Sequence, residues 1–140
     1  MRILLNIKLP AKLENLGRWM NGVSECAREQ GFGEKKIGRI ELALEEALVN
    51  ICKYSYPDEP GDAEVNCKQD NGRFIIEIID SGIPFDMSSL PAPDVTSNIE
   101  ERKIGGLGIF LIKKMVDEVK YRRERNFNIL KLTMKRGEEK

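Results

Sequence analysis

Histidine is missing from all 140 residues, and that gap removes whole chemistries. Without imidazole there is no Ser-His-Asp or Cys-His hydrolase, no histidine metal cluster and no phosphoacceptor histidine within the chain. Cysteine is scarce: Cys26, Cys52 and Cys67 are odd in number and show neither a CxxC redox motif nor zinc-ligand spacing, so they read as buried or half-buried free thiols. No stretch approaches the ~20 apolar residues of a membrane helix. The opening Met1-Arg2-Ile3-Leu4-Leu5 is interrupted by Asn6 and Lys8 before it resembles a signal-peptide core, which implies the cytoplasm and no membrane partner. Net charge is also absent, with 23 basic and 23 acidic residues, so no global positive field draws nucleic acid. The basic run Tyr121-Arg122-Arg123-Glu124-Arg125 reads as a solvated face.

What remains is the composition of one folded unit, 41% apolar and 33% charged, which predicts a single domain over 1–140. Arg2 to Leu9 predicts an opening edge strand that stops at Pro10. Leu13, Leu16, Met20, Val23 and Ala27 recur at helical spacing up to Gly31-Phe32-Gly33. A second helix follows from Glu34 to Lys53, its core stripe made by Ile37, Ile40, Leu44, Ala47, Leu48 and Ile51. Two strands, Ala63 to Gln69 and Arg73 to Asp80, flank the hairpin signal Asp70-Asn71-Gly72. Ser81 to Lys103 has Pro84, Pro91 and Pro93 and little periodicity, so it reads as a long loop of the functional kind. A third helix over Ile109 to Asp117 and a last hairpin, Glu118 to Arg125 and Phe127 to Lys135, complete the order. Strands in hairpins and helices in groups predict an α+β two-layer sandwich, with a mixed, mostly antiparallel sheet and the helices on one face.

Three clusters can carry chemistry. Glu46, Asn50 and Lys53 fall at i, i+4 and i+7, a stripe offering a base, an amide oxygen suited to Mg²⁺ and an ammonium for phosphate. Asp80-Ser81-Gly82 ends an apolar strand, where a carboxylate can accept from an exocyclic amine and a glycine lets a flat ring approach. Gly105-Gly106-Leu107-Gly108 precedes a helix, whose N-terminus favours phosphate, although it is neither a Walker A sequence nor a full G-x-G-x-x-G. Taken singly, each also reads as ordinary structure: a solvated helix face, a turn containing an aspartate, a tight loop-to-helix turn.

Their order is more informative. Glu-Ala-Leu-Val-Asn at 46–50, Asp-Ser-Gly-Ile-Pro-Phe-Asp at 80–86 and Gly-Gly-Leu-Gly-Ile-Phe-Leu-Ile at 105–112 resemble the GHKL ATP-binding (Bergerat-type) fold of gyrase, the Hsp90 chaperones and histidine kinases. Within it the chain is most similar to the bacterial anti-sigma factors that are serine-protein kinases, over roughly Ile7 to Lys135. The resemblance implies ATP and Mg²⁺ as cofactors. It implies that Asn50 coordinates Mg²⁺, Asp80 bonds the adenine amine, and Gly82 admits the ring. Gly105, Gly106, Leu107 and Gly108 would line the phosphates under a lid spanning 81–104, Lys53 would support a phosphate and Glu46 would be the general base. Implied partners are an anti-sigma factor antagonist and a sigma factor, with a homodimer as the assembly. Tyr54 stands where many such kinases have histidine, and Asn126-Phe127-Asn128-Ile129 lacks the Gly-Thr that relatives often carry beside adenine. The other function consistent with these residues is a nucleotide-responsive module that sequesters a regulator without phosphoryl transfer.

Overall fold

The alternation of apolar and polar residues in the strands decides which face of the sheet meets the helices. A computed structural model describes residues 2–84 and 106–137, with the side chains of 106–108 excepted. The strands are β1 (Arg2–Pro10), β2 (Asp62–Asp70), β3 (Arg73–Asp80), β4 (Glu118–Glu124) and β5 (Phe127–Lys135). The helices are α1 (Leu16–Glu29), entered through a 3₁₀ turn at Leu13–Asn15, α2 (Glu34–Asn50) and α3 (Gly106–Met115). Ala63, Val65 and Cys67 of β2, Phe74, Ile76 and Ile78 of β3, and Leu130, Leu132 and Met134 of β5 point the same way. They form one core with Trp19 and Val23 of α1, Ile37, Ile40, Leu44 and Leu48 of α2, and Ile109 and Ile112 of α3. This is the expected two-layer α+β sandwich.

The sheet order is β1-β2-β3-β5-β4, and every described pairing is antiparallel, so the expected mixed character is not found. Two of these pairings, β2–β3 and β4–β5, are hairpins. In β2–β3, Asn71 (φ 51°) and Gly72 (φ 77°) both take positive φ, the geometry that matches hairpin twist. In β4–β5, Arg125 (φ 57°) does so instead. Because β5 returns between β3 and β4, the two most apolar strands are central and the charge-rich β4 takes an edge. On the far face Glu77 is buried and paired with Lys68 at 2.6 Å, which satisfies a carboxylate the helices do not cover.

Two boundary differences bear on the site. The third helix begins at Gly106 rather than Ile109, so the glycine run supplies its first turn. The second helix keeps α geometry only to Asn50 and then widens into a π turn, Ile51–Ser55, before Tyr56 leaves it.

Candidate functional site

A cleft opens between the end of α2, the end of β3 and the β4–β5 hairpin. Its lining combines apolar Ala47, Ile51, Ile78, Ile83 and Leu130 with the polar-bearing Asn50, Tyr54, Ser55, Asp80, Tyr121 and Asn128. This composition suits a flat, partly apolar ligand fixed by a small number of hydrogen bonds.

Asp80 is the last core-facing residue of β3, following Phe74, Ile76 and Ile78 at the strand's period of two. That position buries its carboxylate to 5% exposure. Oδ1 accepts from the Gly82 amide at 2.9 Å and from Asn128 Nδ2 at 3.0 Å. Asn128 lies opposite Asp80 in the β3–β5 register and is itself the polar member of a core-facing series that continues with Leu130, Leu132 and Met134. Its amide also donates to the Ile83 carbonyl at 2.8 Å. Its oxygen accepts from the Tyr121 hydroxyl at 2.6 Å and from Arg123 Nη1 at 3.2 Å. Arg123 Nη1 reaches the Gly82 carbonyl as well, at 2.9 Å. Asn128 thus locks the carboxylate of Asp80 in one orientation, and sequence reading did not assign it to the site. The available signal was an asparagine in the buried phase of an otherwise apolar strand.

Gly82 has a structural requirement independent of any ligand. A Cβ there would fall 2.2 Å from the Ser55 carbonyl oxygen and 2.6 Å from Ser55 Cβ. The Ile83 amide donates to that same carbonyl at 3.0 Å. The segment after β3 is therefore packed directly on the π turn.

The π turn also decides which neighbours Asn50 has. Tyr54, at i+4 from Asn50, and Ser55, which i→i+5 spacing brings to the same side, both line the cleft. Lys53 is exposed and does not line it, so the expected Glu46-Asn50-Lys53 stripe is broken after its second member. Glu46 is half-buried one helical turn before Asn50, outside the cleft lining. Gly106, Leu107 and Gly108 form the start of α3, while Gly105 and residues 85–104 of the expected lid lie outside the described residues. Asn50 and Asp80 are thus brought to one cleft, with Gly82 holding the loop beside it.

The cysteines stand apart from the cleft and are free. Cys26 and Cys67 share a hydrogen bond in the α1–β2 core, which together with burial pushes the Cys67 thiol well above the ordinary range. Burial alone raises the half-exposed Cys52 thiol. No helix among the described residues is long and apolar enough to cross a membrane.

Comparison with known proteins places this geometry in context. The family described as histidine kinase-like ATPase domain matches residues 9–134. Serine-protein kinase RsbW of Listeria monocytogenes is 30% identical over 121 residues, covering 83% of this chain and 77% of that protein. Serine-protein kinase RsbW of Bacillus cereus is 26% identical over 130 residues, covering 90% and 81%. Among solved structures, the RsbU and RsbW domains of a Mycobacterium tuberculosis protein match with a TM-score of 0.67 at 19% identity. That match covers 94% of this chain but 32% of the solved one, and at this identity it speaks for the fold.

Proposed function

This chain belongs to the histidine kinase-like ATPase domain family, and from that premise we propose that it is an ATP-binding anti-sigma regulatory factor that phosphorylates a serine or threonine of an anti-sigma factor antagonist. The observation that carries the reading is the convergence of Asp80 and Asn50, thirty residues apart, on one apolar cleft. Both donors to Asp80 engage Oδ1, so an exocyclic amine would be received by Oδ2 while the ring lies against Ile51, Ile78 and Leu130.

The donor set suits Mg²⁺ carried by phosphates. No group of three or more acidic, cysteine or histidine residues among the described residues is placed to hold a metal ion, and Mg²⁺ bound with a nucleotide draws most of its oxygens from phosphate and water. Asn50 would contribute its side-chain oxygen at the cleft end of α2. Mg·ATP, when bound, supplies the phosphoryl group and screens its charge. Glu46 would accept the proton of the incoming hydroxyl, with the Gly105-Gly106-Leu107-Gly108 run serving the phosphates and Lys53 reaching them from outside the cleft lining. The relatives' name, serine-protein kinase, supports the kinase reading. We extend the proposal to its setting: a cytoplasmic homodimer whose partners are an anti-sigma factor antagonist and a sigma factor.

A second reading is favoured by one observation: Asn50 and Asp80 line the cleft and Glu46 does not. In that case the chain is a nucleotide-responsive module that sequesters a regulator without transfer. Retention of proteins from native extract with and without Mg·ATP, followed by phosphosite mapping, separates the two. New phosphoserine or phosphothreonine on a retained small protein, lost with Glu46→Gln, is the expected result. ATP-dependent retention with no phosphorylation leaves the second reading, and absence of Mg·ATP binding overturns both.

A further inference from the structure

We infer that Tyr56 is a positioning residue, a clamp that fixes the segment Ser81–Ile83 on the end of α2 and so holds the two halves of the cleft together. The inference rests on the nucleotide reading of that cleft and names the group that shapes it.

Its hydroxyl sits where three parts of the chain meet. It donates to the Asp62 carbonyl at the start of β2. It accepts from the Ser81 amide at 2.8 Å and lies 3.3 Å from Ser81 Oγ, whose proton fills the remaining lone pair. One phenol oxygen thus uses its full capacity. The ring lies against Gly61, where an added Cβ would fall 1.9 Å from Tyr56 Cε1. Gly61 is in turn tied to the end of β1, because its carbonyl accepts from the Ala11 amide at 2.9 Å. The phenol is therefore fixed by packing below and by hydrogen bonds at its tip.

The three residues after Asp80 each have an anchor on this structure. Ser81 is held by the Tyr56 hydroxyl, Gly82 packs on Ser55, and the Ile83 amide bonds the Ser55 carbonyl at 3.0 Å. The π turn makes this arrangement available, since its extra residue carries Ser55 and Tyr56 off the α-helical path toward the end of β3. Asn50 begins that turn and Asp80 precedes that segment, so the clamp sets the distance between the amide and the carboxylate. Removing the hydroxyl alone should loosen Asp80 relative to Asn50 without emptying the core.

Tyr56→Phe tests this, because it keeps the ring on Gly61 and deletes only the junction oxygen. Calorimetry on the full chain would compare Mg·ATP binding, and amide hydrogen exchange would follow Ser81, Ile83 and the β5 strand. The expected result is about tenfold weaker Mg·ATP binding, with protection lost at Ser81 and Ile83 and retained at Ile129 to Leu132. Equal Mg·ATP affinity in the two proteins overturns the clamp and leaves the site standing. Protection lost evenly across β5 also overturns it, since that is general destabilisation. If the wild-type chain binds no Mg·ATP, the nucleotide reading and the clamp's role in it both fall, and the exchange pattern shows which contacts the hydroxyl makes.

Discussion

Asn128 has no spare hydrogen-bonding capacity: both amide protons and both oxygen lone pairs are used, toward Asp80, Ile83, Tyr121 and Arg123. Asn128→Ala would leave a buried carboxylate short of a donor and is expected to cost about 2–3 kcal/mol. Urea titration followed by the buried Trp19 measures it, since that is the chain's single tryptophan. Gly82→Ala should cost about 1–3 kcal/mol in ligand-free protein, because the clash is with Ser55 backbone rather than with a nucleotide; unchanged stability would show that the segment can move off the π turn. Cys52, half-exposed with its thiol raised by burial, should react with a thiol reagent more slowly than free cysteine at pH 8 and gain as pH rises toward its higher pKa, while Cys26 and Cys67 stay protected until unfolding. At this scale Asp80 was legible, because Asp-x-Gly after an apolar strand is a local pattern. Asn128 was not, since its role depends on lying opposite Asp80, and strand register is not written locally.

Elements were legible where one period runs unbroken. The stripes of α1 and α2 and the Asn71-Gly72 turn were read directly, and the turn can be challenged: Gly72→Ala forces an L-residue into positive φ and should cost about 1–2 kcal/mol in the same titration. The π turn was not legible, because Cys52 to Ser55 carry no signal that distinguishes five residues per closed turn from four. Its consequence is chemical. Extrapolating the α period placed Lys53 as well as Tyr54 beside Asn50, whereas the wider turn adds Ser55 to the cleft and leaves Lys53 out of it. The start of α3 was missed because glycine has low helix propensity, and yet the helix begins at Gly106.

For the whole molecule, the hairpins and helix grouping fixed the layers, but the insertion of β5 between β3 and β4 needed three-dimensional information. That insertion is what sets Asn128 beside Asp80, so the site exists only at the level of the complete sheet. Ligand binding should therefore stabilise the chain globally rather than locally. At a Mg·ATP concentration one hundred times the dissociation constant, linkage adds about 2.7 kcal/mol. For a domain of this size that is a rise in melting temperature on the order of 8 °C. Asp80→Asn exchanges an acceptor oxygen for an amide donor at the point proposed to receive an amine, and it should abolish most of this shift. Glu46→Gln leaves the cleft lining intact and should keep it, while losing phosphoryl transfer. If Glu46→Gln removed the thermal shift as well, Glu46 would belong to binding and the assignment of base and binding residues to separate groups on α2 would fail.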